Sequence, residues 1–397
     1  MTLKELIMAI EASNRLQGVE EYYFSLKLKE IAQLRASGKT IINLGIGSPD
    51  LAPDDSVIHV LSQQSARPDM HAYQSYIGLP ALREGWASFY RNWYQVELDS
   101  QEEILPLTGS KEGIMHLSMA FINAGDEVLV PNPGYPTYAS ATRLAGGVVR
   151  TYELDAANHW LPDLEALATQ DLSKVKIMWI NYPHMPTGAL ATPTFFDACI
   201  RFARKHNIIL AHDNPYSFIR NNQPLSLMAR PGAREVAVEL NSLSKSHNMA
   251  GWRQGAMVGN AAIIRDVLRF KSNMDSGMFA PAQLAAAHAL ALGQDWFDQL
   301  NAVYREREAR VYALMDALDC SYDPDSVGMF VWGKVPDQVR DGYELSDKIL
   351  YENDVFITPG GIFGSRGDRY IRISLCAPVS TFDAALERLK TTAAIKS

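Results

Sequence analysis

The stretch NSLSKSHNMAGWRQG, residues 241–255, places Lys245 among serines directly after an apolar run (Val236, Ala237, Val238, Leu240, Leu243), with Arg253 eight residues further on. Lysine is ordinarily a wet surface residue, so one at the end of a buried run needs a reason. Similar residues follow the other apolar runs. After IILA (208–211) comes HDNPYSF, with Asp213 and Tyr216; after KIMWI (176–180) comes NYPHMPTG; after EVLV (127–130) comes PNPGYPTY, with Tyr135. In TGSKEGI, Ser110 can cap a helix whose first backbone N–H groups, at Lys111 and Glu112, face an anion. An amine, a carboxylate, two phenols, several hydroxyls, an arginine and a helix start are thus set at the ends of strands.

The elements that must position them follow from pattern. Short aliphatic runs at 127–130, 176–180, 208–211, 235–240 and 256–258 alternate with helical stretches such as 195–205. That alternation predicts βα units and a mostly parallel sheet covered on both faces, and such sheets bind ligands at the carboxyl ends of their strands. Residues 281–318 read as one long helix, and the strands MFVWGKV, DVFIT and YIRISL beyond it as a smaller α+β unit. Of the 397 residues 47% are hydrophobic and 21% charged, an ordinary globular composition. A net charge of −8 with no long basic run argues against nucleic acid or an anionic membrane as partner. Three cysteines, Cys199, Cys320 and Cys376, lie far apart without metal-ligand spacing, so neither disulfides nor a metal is expected. The leading MTLKELIMAIEASNR lacks a signal-peptide pattern and no apolar stretch spans a bilayer, so the expected location is the cytoplasm.

One ligand type suits the collected residues: a small aromatic cation carrying a phosphate and an aldehyde. Lys245 supplies an amine for a Schiff base, and Ser110, Lys111, Ser242, Ser244 and Arg253 suit the phosphate. Asp213 suits a protonated ring nitrogen and Tyr216 a ring phenolate. That ligand is pyridoxal 5'-phosphate. The chain resembles the fold-type I, class I/II aminotransferases through nine motifs in order: LGIGSPDL, YQSYIGLPALREGWASFY, LTGSKEGI, PNPGYPTY, PTGA, DNPYSFI, SLSKSHNMAGWRQG, KSNMDSGMFAPAQ and PGGIFGSRGDRYIRIS. The resemblance implies a mostly parallel seven-stranded sheet sandwiched by helices in a large domain (53–295). A small α+β domain (296–397) would be joined by an arm and part of that domain at 1–52. It implies ping-pong transfer between amino-acid and 2-oxo-acid substrates, with Lys245 the Schiff-base lysine, Asp213 the ring-nitrogen partner and Tyr216 the donor to the ring hydroxyl. Tyr135 would stack on the ring, and Arg372 would clamp the substrate carboxylate with help from the Gly47 backbone. Tyr76 would reach the phosphate of a neighbouring subunit and residues 273–277 would cross over, making a homodimer with shared active sites.

One residue departs from the family pattern. The usual N-P-T-G carries an asparagine that donates hydrogen bonds to cofactor and substrate; here Met185 stands in its place and cannot donate. Asn181 and His184 are the candidates to compensate. Taken singly the residues have plainer readings: Ser110 as a helix cap, Asp213 as a turn former before Asn-Pro, Tyr135 and Tyr216 as seam aromatics, Arg253 and Arg372 as halves of ion pairs. His71, His184 and His247 read as structural, and Met249, Met274 and Met278 as packing. A lyase, decarboxylase or eliminating synthase on the same scaffold stays open, as does a non-catalytic binding protein. For the substrate, the mostly apolar segments around 329–332 point to a neutral or aromatic side chain, while KSNMDSG is similar to diaminopimelate and alanine aminotransferases. The segment EYYFS (21–25) reads as a docking arm for a partner subunit or a substrate cover.

Overall fold

The computed structural model describes residues 12–16, 18, 19, 21 and 23–396, with side chains through residue 390. The expectations for the leading residues 1–11 lie outside the described residues. Seven strands form the central sheet: β1 Ile104–Leu107, β2 Glu127–Asn132, β3 Val148–Glu153, β4 Val175–Asn181, β5 Ile209–Asp213, β6 Ala237–Ser242 and β7 Gly255–Gly259. Their order is β1-β7-β6-β5-β4-β2-β3, and only the pairings of β7, with β6 and with β1, are antiparallel.

Two apolar layers sandwich this sheet. Ile177 and Trp179 of β4 enter one cluster with Val130 and Leu240, while Met178 and Ile180 enter the other with Leu129 and Leu210. Alternate side chains therefore face opposite helical layers, which explains why residues 177–180 of β4 read as an uninterrupted apolar run. Two strands were not apparent from the sequence. Strand β1 contains Pro106, which the pairing tolerates at a sheet edge, and β3 is an edge strand with Arg150 half exposed. Strands β5 and β6 extend past their apolar runs, so Asp213 and Ser242 are the last residues of strands rather than loop residues.

Residues 281–318 are not one helix. They form two helices, Ala280–Leu290 and Gln294–Ala317, broken where Gly293 enters the second with extended backbone (φ −90°, ψ −165°). A second sheet, all antiparallel, runs in the order Thr358–Pro359, Tyr370–Ser374, Phe330–Lys334, Ser321–Tyr322. Ile42–Asn43 pairs in parallel with Val355–Phe356, which brings the segment after it against this sheet. Arg307 of the long helix holds Asp50 through two hydrogen bonds (2.6 and 2.8 Å) and the Leu375 carbonyl through a third, fixing the 44–50 segment over the strand ends. Among the described residues no helix is long and apolar enough to cross a membrane.

Candidate active site

Strand ends, one helix start and the 44–50 segment enclose a cavity of about 610 Å³. Twelve of the thirteen residues singled out above line it: Gly47, Ser110, Lys111, Tyr135, Asn181, Asp213, Tyr216, Ser242, Ser244, Lys245, Arg253 and Arg372.

Asp213 closes β5 at the cavity floor. One carboxylate oxygen accepts a 2.9 Å hydrogen bond from Tyr138; the other is buried with no hydrogen-bond partner among the described residues. Burial pushes the carboxyl up to about 6, against the pull of the Tyr138 bond and of nearby His212. Tyr138 is itself fixed by stacking on Trp179 (4.9 Å, 8°). Sequence reading passed over Tyr138; the signal was its place three residues after Tyr135 in GYPTY, which puts both rings on one helix face. The two rings meet edge to face at 5.6 Å.

Lys245 lies in the one-turn helix Leu243–Ser246 directly after β6. Its ammonium donates to the Gly47 carbonyl at 2.6 Å. Desolvation lowers its pKa, and the charges of Arg372 and Arg253 push the same way. Gly47 thus acts through its carbonyl here. A Cβ on Gly47 would lie 2.3 Å from Cζ of Phe330, so no larger residue fits.

The helix Ser110–Phe121 begins without a side-chain cap: Gly109 (φ 86°) is the cap residue and Ser110 the first helical one, contrary to the expectation that Ser110 caps. The Ser110 hydroxyl is instead buried without a partner among the described residues. A Cβ on Gly109 would sit 2.2 Å from Nη2 of Arg253, so glycine lets the guanidinium close on this turn. Arg253 donates to the Thr108 carbonyl at 3.2 Å, to the Ala250 carbonyl at 2.9 Å and to the Ser244 hydroxyl at 3.4 Å; Ser242 in turn donates to Ser244 at 2.9 Å. Positive charge, hydroxyls and a helix start therefore share one corner.

Opposite this corner, Arg372 is buried in strand Tyr370–Ser374. Its Nη2 donates to the Gly45 carbonyl at 2.9 Å, and Nη1 lies 3.5 Å from the Met185 sulfur. Its guanidinium centre lies 3.8 Å from the Phe330 ring, 4.7 Å from Phe363 and 5.7 Å from Phe24. Phe24 is thus a wall of the cavity. Tyr216 lines the same side, its ring 5.9 Å from Phe330.

Both candidates to compensate for Met185 already have partners. Asn181 spends its amide on the backbone, donating to the Asp213 carbonyl at 2.6 Å and accepting from the Met185 N–H at 2.8 Å. His184 is buried outside the cavity lining against Thr187, and burial holds its imidazole down at about 3. Tyr76 is the thirteenth residue and stays outside this cavity, 43% exposed. The nearby loop follows it: Gly277 packs on the Gln74–Ser75 backbone, and Met274 is exposed rather than packed.

A buried carboxylate oxygen and a buried hydroxyl without partners, facing a lysine of lowered pKa, fit pyridoxal phosphate: a ring N–H⁺ for Asp213, a phosphate for Ser110 and an aldehyde for Lys245. The comparisons agree. The family profile described as aminotransferase class I and II matches residues 39–389. The chain is 42% identical to an LL-diaminopimelate aminotransferase of Oleidesulfovibrio alaskensis, over 95% of this chain and 98% of that one. Among solved structures it is similar to apo-BacF from Bacillus subtilis (34% identity, TM-score 0.92, covering 96% and 98% of the two chains). It also resembles a probable N-succinyldiaminopimelate aminotransferase from Thermus thermophilus (33%, TM-score 0.86, 92% and 99%).

The chain belongs to the class I and II aminotransferase family. It is an amino-acid:2-oxo-acid aminotransferase of the fold-type I architecture and uses pyridoxal phosphate.

Proposed function

We propose that the enzyme takes amino acids with neutral, apolar or aromatic side chains, and that Lys245, Asp213 and Tyr216 carry the reaction. The observation behind the substrate class is the setting of Arg372. One guanidinium for the α-carboxylate stands among Phe24, Phe330, Phe363 and the Met185 thioether, with Leu28 and Ile46 completing the wall. The other cations lining the cavity, Lys111, Lys245 and Arg253, are on the cofactor side, so a second substrate carboxylate would meet phenyl rings.

Pyridoxal phosphate, when bound, supplies a carbonyl carbon that accepts the amino group and a ring that draws electrons from the substrate. Ser110, Lys111, Ser242, Ser244 and Arg253 would hold its phosphate, Asp213 its ring nitrogen, Tyr216 its ring oxygen and Tyr135 its face, with Asn181 bracing the strand end. Arg372 orients the substrate by its α-carboxylate. Lys245 then removes the proton at the substrate α-carbon, a task suited to an amine of lowered pKa. The phenyl rings and Met185 keep water from that carbon.

A homodimer with shared sites is part of this reading. Tyr73, Tyr76, Met274 and Phe279 are exposed (91%, 43%, 51% and 48%) on one surface, where a second copy would cover them and bring its Tyr76 to the phosphate corner. We also place the enzyme in the cytoplasm. We divide the chain at 53–295 and 296–397, with 1–52 an arm and part of the smaller unit; the pairing of Ile42–Asn43 with Val355–Phe356 supports this for the end of that segment.

The test is to mix the cofactor-loaded enzyme with single amino acids, without an acceptor, and measure the 2-oxo acid formed. Phenylalanine, leucine and methionine should react faster than aspartate, glutamate or LL-diaminopimelate. The names of the relatives favour a second reading, LL-diaminopimelate as donor, and fastest reaction with that compound would establish it instead.

A further inference from the structure

Behind the phosphate corner, outside the cavity lining, lies a cluster of four ionisable side chains that the reaction does not use. Lys271, the last residue of helix Ala261–Lys271, is fully buried, and its ammonium pairs with Asp275. The carboxylates of Asp275 and Glu112 and the imidazole of His116 lie within 4.8 Å of one another. Glu112 sits in the first turn of helix Ser110–Phe121 and reaches back to accept the Thr108 N–H at 2.5 Å. Its pKa is held at about 2: burial raises it, but hydrogen bonds from His116 and Thr108, with the charge of Lys271, outweigh that effect. Glu112, His116 and Asp275 are metal-ligating residue types, yet the Lys271 ammonium already stands on Asp275 where a metal ion would have to go.

The other side of the same turn is held as well, since the Thr108 carbonyl accepts from Arg253 at 3.2 Å. Thr108 is thus gripped at its N–H by Glu112 and at its carbonyl by Arg253, and Gly109, the uncapped entry to the helix, follows it. Two carboxylates this close repel unless a cation stands with them, so the Lys271 charge adds to the hydrogen bonds that keep Glu112 charged in its grip. The cluster continues to the surface. Asp275 belongs to the loop after Lys271, whose Gly277 lies on the Gln74–Ser75 backbone beside Tyr76.

We propose that Glu112 and Lys271 are positioning residues for the cofactor's phosphate: they hold the 108–110 turn in its binding shape and tie it to the 272–277 loop. This rests on the reading that the start of helix Ser110–Phe121 takes the phosphate.

The experiment compares the binding of pyridoxal 5'-phosphate with that of pyridoxal, which lacks the phosphate, by equilibrium dialysis against the cofactor-free full-length protein. Wild type, Glu112→Gln and Lys271→Met are measured, with circular dichroism confirming the fold of each. The expected result is a strong preference of wild type for the phosphorylated compound. Both variants should lose about tenfold of that preference, the effect of one charge-assisted hydrogen bond, while pyridoxal binding stays the same. Equal losses for both ligands in both variants would mean a merely structural role and overturn the proposal, and so would unchanged preference. A wild type without preference for the phosphorylated compound would instead overturn the underlying phosphate reading. Glu112→Gln keeps the size of the side chain, so it remains informative if Lys271→Met fails to fold.

Discussion

Replacing Asp213 by asparagine should stabilise the enzyme when no cofactor is bound. Asp213 is 5% exposed, and burial lifts its carboxyl from the ordinary 3.8 to about 6. The folded chain therefore holds this proton more tightly than the unfolded chain, unfolding releases it, and stability falls as pH rises from about 4 to about 6. Above that window the full cost of the buried charge is present, about 3 kcal/mol for a pKa rise of this size. Asparagine keeps the size and still accepts the Tyr138 hydrogen bond but carries no charge. Urea unfolding of the cofactor-free proteins, followed by circular dichroism, should show Asp213→Asn more stable by up to about 3 kcal/mol at pH 7.5, and by about half that at pH 5. Adding pyridoxal phosphate should reverse the order, because the ring nitrogen pairs with the aspartate and not with the amide. A gain that is absent, or that is the same at both pH values, refutes the account of Asp213 as a carboxylate strained by its burial.

Two further outcomes follow from the geometry of the carboxylate side. Gly47→Ala drives a methyl group into Phe330 and through it disturbs Arg372, so steady-state kinetics should give a KM for the amino acid raised about tenfold or more. Met185→Asn adds a hydrogen-bond donor beside Arg372 that neither Asn181 nor His184 provides. The midpoint of the visible-spectrum pH titration should fall, and affinity for a dicarboxylate inhibitor should rise severalfold; identical titrations would show that Met185 has no part in setting the site.

The cofactor half of the site is legible in the sequence for a physical reason. In a parallel sheet, each chemical residue directly follows its own apolar strand, so Asp213, Ser242, Lys245 and Tyr135 can be collected by reading one segment at a time. The substrate half is assembled differently. Phe24, Ile46, Phe330 and Phe363 come from remote segments, and each alone reads as an ordinary core residue. Their convergence on Arg372 is a tertiary fact with no local pattern. Lys271 was opaque for a related reason: a lysine at a helix end normally faces water, and only the packing of Asp275 and Glu112 against it turns it inward. Asn181 lines the cavity as the sequence suggested, but its bonds to the backbone of Asp213 and Met185 depend on the fold and carry no local pattern. The break between Leu290 and Gln294 was hidden by an alanine-rich run that suits a helix throughout.

The carbonyls of Gly45 and Gly47 hold the two cations that must later meet the ligands, Arg372 and Lys245. Each ammonium or guanidinium thus has a berth before anything arrives, and each arrival is an exchange of partners rather than the capture of a loose charge. Because both berths are on one short stretch of backbone, drawing Lys245 away loosens the same stretch that steadies Arg372. The partners of both cations are thereby set by three residues of main chain, so the position of one berth fixes the position of the other.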